Sequence, residues 1–240
     1  GLQRHVPGVH LEGPFLSAEP GAVGAHNPAW VQQATVERFD ELVAAHSDFV
    51  KLLTVAADNT GVIDLIGAAR ARGITVSVGH QMASGEQIHA AAAAGATAAT
   101  HVGNGIPNQI HRHNNPLWPI LADDRLTALI ITDGHHLPAD VIRAIIRAKG
   151  VERVVVTSDA APVAGLPPGR YPTWGNDAIL EPNGLFHNPE KKCLCGSSAM
   201  MSDCMAYLKG LDLLSERDLK KVGVHNPLRL IGLAPNKARG

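Results

Sequence analysis

Short apolar runs alternate with helix-length stretches along this chain, about five times in succession, and few folds accept that rhythm. Strands are expected at residues 9–12, 49–55, 74–78, 96–101, 126–132 and 151–157. Helices are expected between them at 35–45, 61–72, 84–94 and 138–149. The punctuation fits: Ser84 with Gln87 makes a capping box, Gly73, Gly95 and Gly150 stop helices, and Pro138 opens one. A long polar loop runs to about Pro119. Strand–helix alternation means parallel strands joined by crossover helices, which leaves an open doubly wound sheet or a (β/α)8 barrel. Residues 160–197 break the rhythm, are rich in Pro and Gly, and should hold a hairpin at Pro182-Asn183-Gly184. The end reads as helical over 199–211 and 215–224, with a turn after Asn226-Pro227. Residues 1–240 read as one domain.

Acids and histidines fall where these strands end. Glu12 closes the first, His80 follows Val76-Ser77-Val78-Gly79, and His101 follows Ala98-Ala99-Thr100. Asp133, His135 and His136 follow Ile130-Ile131-Thr132, and Asp159 follows Val155-Val156-Thr157-Ser158. In a (β/α)8 barrel these C-terminal ends converge on one face, where active sites sit. A carboxylate with two imidazoles suits zinc or another divalent transition metal, and a further Asp beside such a metal can relay protons. His26, in the loop after the first strand, can reach the same pocket. The loop His101-Val102-Gly103-Asn104-Gly105 can offer backbone N–H groups to an anion, and Arg112 can grip a phosphate or carboxylate with two parallel hydrogen bonds. A nucleotide-binding open sheet is disfavoured because no G-x-G-x-x-G follows the first strand.

Composition agrees. There are 13 histidines against 3 Trp, 2 Tyr and 4 Phe, an excess that points to metal or proton chemistry. With 21 basic and 22 acidic side chains, the net charge of -1 gives no reason to expect nucleic acid or an anionic membrane as partner. No apolar run reaches the roughly 18 residues of a membrane span. The opening Gly1-Leu2-Gln3-Arg4-His5 lacks the apolar core of a signal peptide. Cys193, Cys195 and Cys204 make a poor disulfide framework and read as reduced, buried thiols of a cytoplasmic protein.

Taken in order, the motifs His10-Leu11-Glu12-Gly13-Pro14-Phe15, Gly24-Ala25-His26, Gly79-His80, Thr100-His101, Asp133-Gly134-His135-His136, Thr157-Ser158-Asp159-Ala160, Gly165-Leu166-Pro167 and Gly196-Ser197-Ser198 resemble the N-acetylglucosamine-6-phosphate deacetylase family of amidohydrolases. The resemblance implies a metal-dependent (β/α)8 barrel that hydrolyses the acetamide of N-acetylglucosamine 6-phosphate. It implies that Glu12, His80 and His101 hold a divalent metal, zinc first, with iron, manganese or cobalt as alternatives. It makes Asp159 the catalytic acid/base, sets His136 against the substrate carbonyl and His26 against the sugar. Asn104, Gly105 and Arg112 would hold the phosphate, the arginine reaching across a homodimer. Two departures lie in the phosphate loop: Val102-Gly103-Asn104-Gly105-Ile106 after the second metal histidine, and His113-Asn114-Asn115-Pro116 after Arg112. Counting back from the matched motifs, the barrel's first two strands and the family's small β-sandwich are missing. An amidohydrolase acting on another N-acyl or cyclic amide, or a non-catalytic barrel remnant, are the alternatives.

Overall fold

The computed structural model describes residues 6–44, 46 and 48–233. The opening five residues and the expected helix end at Ala45 lie outside them. Six parallel strands form the main sheet: β1 (Val9–Glu12), β2 (Val50–Val55), β3 (Thr75–Val78), β4 (Ala98–Ala99), β5 (Thr127–Ile131) and β6 (Val154–Thr157). Their spatial order is β1-β2-β3-β4-β5-β6, each strand parallel to the next. A doubly wound sheet would reverse direction at a switch point. This order never reverses, so right-handed crossovers carry every helix to the same side, as in the wall of a (β/α)8 barrel. The crossover helices are α1 (Val36–Val43), α2 (Val62–Ala71), α3 (Gly85–Ala94), α4 (Leu117–Ala122) and α5 (Ala139–Lys149).

Period-2 alternation decides which side of each strand meets the helices. Leu53, Val55, Val76, Val78, Ala128, Ile130, Val154 and Val156 pack with Phe39, Leu65, Ile66, Ile88, Ile142 and Ile145 in one core. Leu52, Ala98, Leu129 and Val155 point to the opposite face, where Leu230 and Ile231 cover them. That second face also carries hydroxyls: Thr54 Oγ1 lies 2.7 Å from Thr100 Oγ1, which lies 2.6 Å from Ser77 Oγ. His10 Nε2 adds to the chain, 2.7 Å from Thr54 Oγ1.

Residues 160–197 form more than the expected hairpin. Strands β7 (Gly169–Thr173), β8 (Asn176–Leu180), β9 (Phe186–Asn188) and β10 (Cys193–Leu194) make an antiparallel sheet with its own small core of Ala161, Val163, Ala178, Leu180, Phe186 and Cys195. The β8–β9 connection contains Pro182-Asn183-Gly184, as the sequence predicts. The chain ends in α6 (Met201–Gly210), α7 (Glu216–Lys220) and α8 (Asn226–Leu230).

Three local expectations need correction. The loop after β4 gives way at Leu117 to helix α4, because Pro119 sits in the first turn, where its missing N–H costs nothing. The strand expected over 96–101 pairs regularly only at Ala98–Ala99, since the backbone turns left-handed at His101. The last long helix changes to a wide π turn at Lys221–His225 before α8, where Pro227 cannot supply the usual helical donor. A further surprise is Lys149, fully buried at the end of α5, whose ammonium donates to the carbonyls of Ile120 (3.0 Å) and Asp123 (2.7 Å) and so caps α4. Among the described residues no helix is long and apolar enough to cross a membrane.

Candidate metal centre and active site

Three strand ends bring three donor atoms together. Glu12 Oε1 lies 2.9 Å from His101 Nε2 and 3.3 Å from His80 Nε2, and the two ring nitrogens are 3.0 Å apart. The rings of His80 and His101 meet edge to face with centroids 4.7 Å apart. His80 and His101 are buried, while Glu12 is partly exposed to the cavity.

The backbone explains the convergence. His80, His101 and Asp159 each follow a strand and each take positive φ, at 50°, 29° and 49°. Left-handed backbone at three non-glycine residues in one place is uncommon and clusters at functional sites. Two glycines make room. A Cβ on Gly105 would come within 3.1 Å of both His101 Cε1 and His80 Nδ1, and one on Gly24 within 3.0 Å of His80 Cε1.

Proton bookkeeping tests whether this trio suits a cation. His80 Nδ1 lies 2.8 Å from the carbonyl oxygen of Ala22, which can only accept, so Nδ1 carries the proton. In the neutral ring Nε2 is then a lone pair aimed at Glu12 and His101. Burial, the largest influence, holds the His80 pKa below its ordinary value, which keeps that ring neutral. Burial also opposes ionisation of Glu12, yet hydrogen bonds and charge from His101, with His26 and His80, hold it well below the usual carboxylate range. His101 is shifted the other way: burial disfavours its charge, but Glu12 and then Asp159 raise its pKa. Two lone-pair donors and a third nitrogen thus share a spacing near the edge of a tetrahedron, about 3.4 Å for bonds of about 2.1 Å. Among the described residues these three are the group that could hold a metal ion, and the donor set fits a divalent one.

The trio opens onto a cavity of about 650 Å³. His26, Asn104, Gly105, His136 and Asp159 line it together with the three donors. His26 Nε2 stands 3.5 Å from Glu12 Oε2, and its ring meets that of His80 edge to face. Of the two histidines after β5, His136 faces the cavity; His135 turns away, its Nε2 3.1 Å from the carbonyl oxygen of Asn183. Arg112 is exposed and is not among the lining residues; its carbonyl accepts from Trp118 Nε1 at 2.7 Å.

Sequence reading missed part of this wall. Trp30, Trp174, Lys191, Lys192 and Cys193 also line the cavity. Trp174 and the β10 residues come from the small antiparallel sheet, whose Asn176 side chain donates to the carbonyl of Ala25 at 2.7 Å and ties it to the loop after β1. Trp30, on the turn Pro28–Trp30, and Trp174 are roughly half exposed, at 55% and 47%. Only their rarity in a chain of 3 Trp could have flagged them.

Known proteins resemble this chain in sequence and fold. No protein-family model matches the chain. It is 34% identical over 242 aligned positions to a human N-acetylglucosamine-6-phosphate deacetylase, covering 97% of this chain and 58% of that one. Its fold superposes on a Mycobacterium smegmatis N-acetyl-D-glucosamine-6-phosphate deacetylase variant in complex with N-acetyl-D-glucosamine-6-phosphate. There the TM-score is 0.88 at 28% identity, over 97% of this chain and 62% of that one. Over nearly its whole length the chain is similar to N-acetylglucosamine-6-phosphate deacetylases. Sugar epimers are not separated by overall similarity. An Escherichia coli O157:H7 N-acetylgalactosamine-6-phosphate deacetylase is 28% identical over 234 positions, which is 97% of this chain and 60% of the relative. The chain therefore spans about three fifths of the length of the deacetylases it matches.

Proposed function

We propose that this chain carries the hydrolytic centre of an amino-sugar 6-phosphate deacetylase, releasing acetate from N-acetylglucosamine 6-phosphate. The observation that carries the reading is the convergence of Glu12, His80 and His101 in one cavity with Asp159 and His136. Glu12, His80 and His101 would hold a divalent metal, zinc as first choice for one carboxylate and two imidazoles, which when bound would supply Lewis-acid polarisation and a lowered water pKa.

The chain's own groups do the rest. Asp159 takes the proton of the attacking water as the water oxygen bonds to the acetamide carbon. It returns that proton to the nitrogen as the C–N bond breaks, so one carboxylate serves as base and then as acid. His136 donates a hydrogen bond to the carbonyl oxygen as negative charge develops there, an interaction worth about 3 kcal/mol per donor in comparable sites. His26 contacts the sugar. Asn104 and Gly105 offer the phosphate their backbone N–H groups, and Arg112 reaches the phosphate of a neighbouring copy in a homodimer. Residues 1–240 act as one catalytic unit within the cytoplasm, where a charged sugar phosphate is retained.

The test is acetate release, with added Zn2+, from three compounds side by side: N-acetylglucosamine 6-phosphate, its galacto epimer, and unphosphorylated N-acetylglucosamine. Preference for the first supports the full reading. Preference for the galacto epimer keeps the chemistry and changes the sugar, and no acetate from any of them overturns it.

A further inference from the structure

Behind the cavity wall lies a carboxylate that takes no direct part in the proposed hydrolysis. The side chain of Asp133 is buried, 1% exposed, and does not line the cavity. Its Oδ2 sits 2.7 Å from His136 Nδ1 and accepts the Ser197 hydroxyl at 2.6 Å. Its Oδ1 accepts the backbone N–H groups of His135 and His136, both at 2.9 Å. Four donors on one buried carboxylate keep it ionised. Burial alone would raise its pKa, but the His136 ring, its charge, Ser197 and the backbone amide outweigh burial and hold it below the usual carboxylate range. An ionised carboxylate can only accept, so the short contact puts a proton on His136 Nδ1 and turns Nε2 toward the cavity.

Ser197 extends the link. Its backbone N–H donates to the carbonyl oxygen of Asp159 at 2.8 Å, and its own carbonyl accepts from Ala161 at 2.7 Å. One residue therefore holds the carboxylate behind His136 and the main chain of Asp159.

We propose that Asp133 is a positioning residue: with Ser197 it fixes the tautomer and direction of His136 and couples them to the strand end that bears Asp159. The proposal deepens the function proposed above and rests on it for its catalytic part. To donate to a carbonyl from Nε2, His136 must carry protons on both nitrogens, and the buried carboxylate is the counter-charge that permits this. Asp133→Asn keeps an oxygen for the backbone amides but turns the other position into a donor. The ring then accepts at Nδ1 and holds its single proton on Nε2.

The experiment records long-range 1H–15N correlations of the histidine rings, with His136→Gln used for assignment, alongside acetate release. The wild-type ring should be protonated at Nδ1, and Asp133→Asn should strip that proton and leave one on Nε2. The same change should lower kcat by up to about 10²- to 10³-fold, because a neutral Nε2–H replaces a cationic donor at the developing oxyanion, with KM little changed. Ser197→Ala, which keeps the carboxylate and removes one donor, should lower kcat less and leave the proton on Nδ1. It serves where Asp133→Asn does not fold. An unprotonated Nδ1 in the wild type overturns the proposal, as does loss of that proton in Asp133→Asn with unchanged kcat. A wild type that releases no acetate but shows the Nδ1 proton and its loss in Asp133→Asn sinks the deacetylase reading and leaves the Asp133–His136 pairing standing.

Discussion

His80 Nδ1 and the carbonyl oxygen of Ala22 lie 2.8 Å apart, joining a strand-end histidine to the loop after β1. A main-chain carbonyl behind a metal-type histidine fixes which ring nitrogen stays free. The loop therefore helps to build the cation site, although it offers no donor atom of its own to the trio. Gly24 and Gly105 pack on the same ring.

Gly105→Ala should for this reason act on metal affinity. Its φ of 62° strains any side chain, and the new Cβ would meet both imidazoles at 3.1 Å. A Zn2+ titration by calorimetry should show binding weakened by roughly 10- to 100-fold, the usual cost of disturbing the surroundings of metal ligands. Unchanged affinity would mean that the loop yields without moving the rings.

Asp159→Asn should separate hydrolysis from metal binding. The residue lines the cavity without belonging to the donor trio. Turnover should fall by about 10²-fold or more, the scale of general acid–base catalysis, while bound zinc per chain stays constant. Loss of zinc in this variant would make Asp159 a ligand.

Stability should carry a signature of Asp133 on the acid side. Its folded pKa is depressed, so its contribution is present above the ordinary carboxylate value of about 3.9 and is lost as pH falls below that. Urea unfolding should find Asp133→Asn less stable than wild type at pH 7, with the gap closing toward pH 3. A gap independent of pH would show that the carboxylate charge is not what stabilises.

The cysteines should react in a fixed order. Cys193 lines the cavity, and the hydrogen bond from Cys195, aided by Lys191 and His187, lowers its pKa; Cys195 is correspondingly raised. Cys204 is buried on α6, and burial, with Asp133 next, pushes its thiol up to about 11. Iodoacetamide near pH 7.5 should label Cys193 first, as read by peptide mass spectrometry, and should slow acetate release by crowding the cavity.

Lys149→Met should cost about 2–3 kcal/mol and lower Tm by several degrees, because two buried carbonyls lose their donor. Differential scanning calorimetry measures this directly, and a change below about 0.5 kcal/mol would mean that water replaces the ammonium.

Much of this molecule can be read from its residues, for reasons that differ by region. The six strands and four of the five crossover helices follow from apolar runs and from Gly and Pro punctuation, both local signals. Glu12, His80, His101 and Asp159 stand out because parallel strands all end on one face, so position along each strand implies position in space. The small sheet was visible only at Pro182-Asn183-Gly184, since two- to five-residue strands carry too little pattern to register. Left-handed backbone at His80, His101 and Asp159 leaves no trace in residue type, because the strain is held by packing rather than by glycine. Asp133 was visible as an acid at a strand end three residues before His136, but its hydrogen bond from Ser197 spans 64 residues of chain.

The cavity has two walls of different origin. Its donors stand on the ends of parallel strands, while Trp174, Lys191, Lys192 and Cys193 come from the antiparallel sheet. That sheet has a separate core, so the residues it sends to the cavity can be exchanged while Asn176, which ties it to the loop after β1, and the packing that aims Glu12, His80 and His101 are kept. In the proposed hydrolase, reactivity and selectivity would thus reside in separable modules, and a library confined to Trp174, Lys191, Lys192 and Cys193 should retune which amide is accepted without touching the donors.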